Sequence, residues 1–237
     1  DLHSFPTRRS SDLRFKQIRN VALLGHLGTG KTSLAESLLF VSGAIKAKGE
    51  VERKNTVGDY TVEEQNRQTT LTASLIPVEY NGYKINFIDT PGSEEFIGEI
   101  ENVLSVVEGA VLLIDASSGV QVGTERCWDE LRARKIPTLI WINKTDKENV
   151  KMDAVLAEIN DELSSHAKEV NAPFSEELME IAAESDEELL NKYLEELELS
   201  EEDTVKGLRN ASLNCDFFPI VTASAIKNEG VKELMDK

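Results

Sequence analysis

The sequence predicts an α/β fold: a mostly parallel six-stranded sheet with helices on both faces and a helical insertion before the last strand. Three observations carry this. Short apolar runs alternate with stretches of helical spacing, which implies parallel strands joined by crossover helices. Glycine-rich or Asp/Asn motifs stand at the ends of those runs, where ligands bind in such sheets. Between Lys147 and Arg209 the composition shifts to an acidic stretch rich in Glu, Leu and Ala.

The first strand is the apolar run Val21–Leu24, and the helix after it buries Leu34, Leu38 and Leu39 on one face. Residues 43–68 are polar without a clear period, and a connection that long in a compact domain is usually functional or mobile. Leu71–Val78 and Tyr83–Ile88 read as strands joined by a turn at Asn81-Gly82. A helix of roughly four turns follows, with Phe96, Ile100, Val103, Leu104 and Val107 inward. Ala110–Ile114 and Thr138–Ile142 are short buried strands flanking a helix over Thr124–Arg134. In the acidic stretch Ser175, Ser185 and Ser200 are helix-start signals. Phe217–Val221 is the last strand, and a helix begins near Glu229.

Asp1–Leu13 is polar and aperiodic and lacks the apolar core of a secretory signal. It reads as a non-native or disordered tail, similar to the translation of a sequencing-adapter remnant, apart from one domain over residues 14–237 with its insertion at about 147–212. A transit peptide is the alternative: Arg8, Arg9 and Arg14 favour it, and Asp1 and Asp12 count against it. If the start is such a remnant, the frame is expected to be cut at its other end, since Lys237 stands inside a helical pattern. The net charge of −17 argues against a bare nucleic-acid groove, and no run approaches a membrane span. Cys127 and Cys215 have no metal spacing and read as two buried thiols of a reduced, cytoplasmic protein. The chain is expected to be a monomer.

Gly25, His26, Leu27, Gly28, Thr29, Gly30, Lys31 and Thr32 fit G-x-x-x-x-G-K-[ST] between a strand and a helix, a phosphate-binding loop. Glycines allow successive N–H groups to turn onto phosphate oxygens. Lys31 brings charge to the β- and γ-phosphates, the Thr32 hydroxyl is a hard ligand for Mg²⁺, and the helix start adds its positive dipole end. The bland reading is a glycine-rich turn. Such a loop permits ATP or GTP, and hydrolysis or transfer. Three further motifs narrow the choice. Asp89 of Asp89-Thr90-Pro91-Gly92 can hold Mg²⁺ through a water, and the Gly92 N–H can reach the γ-phosphate. Asp146 of Asn143-Lys144-Thr145-Asp146 can accept guanine's N1–H and amine, a pairing adenine lacks, and the Lys144 methylenes can lie over the base. Ser224-Ala225 can offer a backbone N–H to guanine O6. Alone, Asn-Lys-x-Asp is more often a helix-start turn. All four in this order, each at a strand end, point to a guanine nucleotide, and an ATP-dependent kinase would not need Asn143-Lys144-x-Asp146.

With these motifs together, the sequence resembles the GTP-binding (G) domain of the translational GTPases, a phosphate-loop NTPase fold, and within them elongation factor G. The resemblance runs from about Phe15 to the end. It rests on GHLGTGKT, GDYTVEEQNRQTT, DTPG followed by EEF, ASSGVQVGTERCW, NKTD, AAESDEELLNKYLEELELSEED and TASAIKNEGVKELMD. It implies that Thr70 is the switch threonine that joins Mg²⁺ beside Thr32 and Asp89. It also implies that 43–70 and about 89–99 are the two switches, ordered by the γ-phosphate. A Mg²⁺-dependent GTPase acting on the ribosome follows, with Lys31, Thr70, Gly92 and residue 93 around the reacting phosphate. The resemblance further implies docking of a ribosomal stalk protein on the acidic run Glu176–Asp203, against a plain solvated face. His26 has a structural role, His166 is solvated, and Trp128 and Trp141 are core.

Departures gather at the γ-phosphate. The family usually has His where this chain has Ser93, often Asp where it has Gly28, an apolar residue at Thr69 and Gly at Gln68. The span from Asp146 to Phe217 is short for the family, so the β-rich part of the usual insertion is expected to be missing. These features fit a divergent paralogue. They leave open a second reading, a GTP/GDP-binding module that hydrolyses slowly or not at all.

Overall fold

The computed structural model describes residues 17–93, 95, 97–170, 173–196 and 198–236. The expected tail, Phe15, Phe96 and Lys237 lie outside them. In chain order the elements are strand β1 (Ile18–Gly25), helix α1 (Lys31–Val41), a 3₁₀ turn (Val51–Arg53), α2 (Val62–Arg67), β2 (Ser74–Tyr80), β3 (Tyr83–Asp89), α3 (Ile97–Leu104), β4 (Gly109–Asp115), α4 (Val122–Arg134) and β5 (Thr138–Asn143). Then come α5 (Met152–Glu158), running on into a π-helical turn (Ile159–Leu163), β6 (Ala167–Glu169), α6 (Glu176–Glu184), α7 (Glu187–Glu196), α8 (Glu201–Leu213), β7 (Phe218–Thr222) and α9 (Val231–Asp236).

The sheet order is β2-β3-β1-β4-β5-β7-β6. Among the described strands only the β2–β3 hairpin is antiparallel, and it turns at Asn81 and Gly82, both at positive φ as a two-residue hairpin turn requires. Three sequence expectations are corrected here. The sheet has seven strands, because Ala167–Glu169 adds an edge strand parallel to β7. Three residues with one apolar side chain, set in an acidic helical stretch, carry no strand period. The helix expected to run four turns is Ile97–Leu104, about two turns, and β2 begins at Ser74 rather than Leu71.

Strand alternation sends successive residues of β1 to opposite faces. Ala22 and Leu24 pack with Ile100, Val103 and Leu104 of α3 and with Trp128 and Leu131 of α4. Leu23 packs on the other face with Leu34, Leu38 and Leu39 of α1 and Val231 and Leu234 of α9. Trp128 and Trp141 are both core, and both cysteines are buried free thiols. Helices α6 and α8 share a cluster of their own: Leu178, Ala182, Leu208 and Ala211 close over Phe217. His166 is exposed in the turn before β6 rather than on a helix, with Nδ1 2.9 Å from Asp216 O. No helix among the described residues is long and apolar enough to cross a membrane.

Ser175 and Ser200 cap α6 and α8 by accepting from Leu178 N and Asp203 N. Ser185 does not start a helix. It closes α6, and Asp186 caps α7 by accepting from Glu188 N at 2.9 Å and Leu189 N at 3.4 Å. A shorter serine one residue earlier would not reach those two N–H groups. Removing an Asp cap costs about 1 kcal/mol. Asp186→Ala is therefore expected to lower the urea midpoint clearly further than Ser185→Ala, measured by circular dichroism; equal midpoints would show that Asp186 is not the cap.

Candidate functional site

The four motifs stand at the carboxyl ends of β1, β3, β5 and β7. In the loop after β1, Gly25, Gly28 and Gly30 have φ of 145°, 80° and 95°, backbone that side-chain-bearing residues rarely adopt. Lys31 folds back into this loop, with Nζ donating to Gly25 O at 2.9 Å and His26 O at 3.0 Å. His26 O also accepts from Thr29 Oγ1 at 2.9 Å, so His26 serves the loop through its carbonyl. Its ring Nδ1 is buried without a partner among the described residues. Burial pulls the Lys31 ammonium below its usual range, against the upward pull of the Asp89 carboxylate.

Gly92 lies directly on the phosphate loop: a Cβ there would stand 2.5 Å from Lys31 Nζ and 2.9 Å from Leu27 N. Only glycine fits that approach. Ser93 is half-buried beside it and lines a small cavity with Gly25, Ile100, Gly123 and Cys127.

Thr32 and Thr70 come together across the connection between α1 and β2, their hydroxyls 3.0 Å apart. Thr70 donates to Asp59 Oδ1 at 2.8 Å. Burial holds the Asp59 carboxyl above its ordinary range, and Thr70 works against that. Asp89 is fully buried, and neither carboxylate oxygen has a hydrogen-bond partner of good geometry among the described residues. Burial pushes its pKa up to about 7, against the nearby Lys31 charge and the Thr32 hydroxyl. The Gly58 backbone faces both groups: a Cβ on it would lie 3.7 Å from Asp89 Oδ2 and 3.8 Å from Thr32 Cγ2.

Asn143 joins the loops. Its Nδ2 donates to Thr29 O at 2.8 Å, and its Oδ1 accepts from Ala225 N at 2.9 Å. Of the Ser224-Ala225 pair expected to offer a backbone N–H to guanine O6, the Ala225 N–H is given to Asn143 in this structure. Asp146 is exposed and accepts from Ser224 Oγ at 2.6 Å, which holds its pKa down. Lys144 lies along the phosphate loop, with Nζ 2.5 Å from Gly28 O and 2.7 Å from Asp115 Oδ2.

Several residues of this site had no assigned role in the sequence. Asp115 ends β4 and holds Lys144 Nζ, Lys147 Nζ at 3.3 Å, Ser117 Oγ at 2.6 Å and Ser117 N at 2.9 Å. Glu36 on α1 is fully buried, and its two oxygens accept Gly49 N at 2.9 Å and Val57 N. Glu64, also fully buried, forms a capping box with Thr61 and accepts Leu71 N at 3.1 Å and Thr72 N at 3.3 Å. Only the capping box, T-x-x-E at Thr61 and Glu64, was available as a sequence signal.

Burial alone would raise Asp115, but the hydrogen bonds from Lys144 and Ser117 and the Lys144 charge carry it from 3.8 down to about 2. A depressed carboxylate contributes stability that is present above its unfolded pKa and is lost as pH falls through the folded value. Asp115→Asn is expected to lower the urea midpoint at pH 7, with the gap to the parent closing between about pH 4 and about pH 2. A gap independent of pH over that window would show that the ionised form contributes nothing.

The description "Elongation factor Tu GTP binding domain" matches residues 16–237. Tetracycline resistance protein TetM from transposon Tn1545 of Enterococcus faecalis is 36% identical over 236 residues, covering 93% of this chain and 36% of that protein. TetM of Ureaplasma urealyticum is 35% identical over the same share. A crystal structure of a Thermus thermophilus protein superposes with a TM-score of 0.86 at 29% identity, covering 93% of this chain and 39% of that one. The chain spans about a third of the length of the curated relatives it matches. Residues 16–237 thus belong to the elongation factor Tu GTP-binding domain family, as a translational GTPase domain of the elongation factor G-like kind.

Proposed function

We propose that this domain, taken as one unit over residues 14–237, is the GTP-binding and GTP-hydrolysing switch of a larger elongation factor G-like translation factor that acts on the ribosome in the cytoplasm. The observation that carries the reading is the Asn143 amide. It ties the loop proposed to hold phosphates to the two loops proposed to read the base, so one bound molecule could touch all three.

On this reading Asp146 accepts from guanine N1–H and the exocyclic amine, and Lys144 covers the ring with its methylenes. Gly25, His26, Gly28, Thr29 and Gly30 supply the backbone of the phosphate cradle. Lys31 and the N–H groups of the loop stabilise charge that grows on the phosphates during attack by water. Thr32, Thr70 and Asp89 would hold Mg²⁺: two hydroxyls and a buried carboxylate with no partner among the described residues form the hard oxygen set that suits this ion. Bound there, it offsets charge on the phosphate oxygens. Gly92 would place its N–H near the γ-phosphate, since its backbone already rests on Lys31.

One substitution tests the base reading. Asp146→Asn is expected to weaken GTP by about tenfold or more, since a site built for those hydrogen bonds would leave donors unmatched, and to relax preference toward xanthine nucleotides. Unchanged GTP affinity by calorimetry would remove this motif from base reading.

Ser93 favours the second reading, a module that holds GTP or GDP as a signal and turns GTP over slowly. A hydroxyl on so short a side chain cannot reach as far as the imidazole that the family carries there, and a positioned catalytic group contributes ~10²–10⁴ in rate. Ser93→His, with Thr69→Ile if needed, is expected to raise single-turnover hydrolysis of pre-bound GTP with little change in affinity, most clearly with ribosomes and the full-length protein. A double variant no faster than the parent would show that residue 93 is not limiting.

A further inference from the structure

Lys48 belongs to no motif, yet it spends its ammonium on one turn. Its Nζ donates to Ala225 O, to Ile226 O at 3.2 Å and to Asn228 Oδ1 at 3.0 Å. Three acceptors match the three protons of an ammonium. The turn is the one that carries Ser224 against Asp146 and Ala225 N against Asn143. In a trans peptide the C=O and N–H point to opposite sides. With the Ala225 carbonyl held by Lys48, the Ile226 N–H points away from Lys48. A cation on a carbonyl also polarises the amide and strengthens the next N–H as a donor.

Lys48 sits in the connection between α1 and β2, and that connection is tied down at intervals. The residue after Lys48 gives its N–H to Glu36, as does Val57. Gly58 O accepts from Ser74 Oγ at 2.9 Å, and Asp59 accepts from Thr70. A continuous strap therefore runs from the turn at Ser224–Asn228, through Lys48 and Glu36, to the paired hydroxyls of Thr70 and Thr32.

We infer that Lys48 is a positioning residue for guanine recognition, and that it couples occupancy of the base site to the order of the strap leading to Thr70. The inference rests on the guanine reading proposed above. Coupling between two sites is reciprocal: whatever the ordered strap adds to base affinity, the bound base adds to the order of the strap.

The test uses the full 237-residue chain. Affinities for GDP and ADP are measured by calorimetry for the parent, Lys48→Met and Lys48→Arg, and backbone hydrogen exchange is followed over 46–59 with and without GDP. Lys48→Met keeps the length of the side chain and removes its donors. It is expected to reduce the GDP-over-ADP preference about tenfold, the scale of a lost hydrogen bond to a charged group. GDP should slow exchange at Gly49 and Val57 in the parent and fail to do so in Lys48→Met, while Lys48→Arg retains most of both effects. Equal losses for GDP and ADP, or an unchanged preference, would overturn the inference. So would GDP leaving exchange at Gly49 unaltered in the parent. A parent with no preference for GDP over ADP would instead overturn the guanine reading itself. If Lys48→Met does not fold, Asn228→Gly removes one acceptor at a residue whose φ of 60° glycine tolerates. It should lose part of the same preference, and an unaltered preference there counts against the coupling.

Discussion

The site depends on one buried side-chain amide. Asn143 is 2% exposed, and it uses one donor and one acceptor to hold two loops that are far apart in sequence, at Thr29 and Ala225. An aspartate there could not donate to Thr29 O, and an aliphatic residue would leave a buried carbonyl and a buried N–H unpaired, at about 1–3 kcal/mol each. Next to it Lys144 spans Gly28 O and Asp115, so consecutive residues of one loop grip the phosphate loop from two directions. The family's strand–loop–helix arrangement brings these loops near each other. The amide sets their register.

A second constraint acts on the connection from α1 to β2. It holds little apolar surface to bury, and Tyr60 and Val62 are 70% and 74% exposed. Its order comes from carboxylates. Glu36 and Glu64 are both fully buried and accept backbone N–H groups, the arrangement in which a buried charge is tolerated. Glu64 also takes Gln68 N and Thr69 N on its main-chain carbonyl, so one residue fixes both the end of α2 and the start of the segment bearing Thr70.

These constraints explain which parts were legible in the sequence. The strands β1, β4 and β5 and the helices packed on them follow from local apolar periodicity, and each motif loop follows from residue types a few positions apart. The edge strand β6 was not legible, because pairing with β7 rather than its own pattern makes it a strand. Asp115, Glu36 and Lys48 were not legible either. Their partners stand as far as 180 residues away, and a charged residue read alone is most simply a solvated one. Ser185 misled for a local reason: the acid one position later reaches the two N–H groups that a cap must satisfy.

The departures near Thr70 and Gly92 have a common physical character. Gln68 holds φ of 52° at the end of α2, where the resemblance implies glycine, and a left-handed non-glycine residue costs about 1 kcal/mol. Thr69, where an apolar side chain is implied, turns its hydroxyl onto Arg67 O at 3.2 Å, a bond within its own loop. Ser93 puts a second short hydroxyl where an imidazole is implied. Among the described residues no hydrogen bond joins any of the three directly to Asn143, Lys144, Asp146 or Ser224; the elements proposed to read the base connect to this region through the strap at Lys48 and Glu36. Groups that act on the attacking water are felt only in the transition state, and their loss leaves ground-state binding intact. On the proposed reading, this separation lets one domain keep a fully assembled nucleotide site while its hydrolytic side diverges, with turnover then set by whatever partner supplies the missing group.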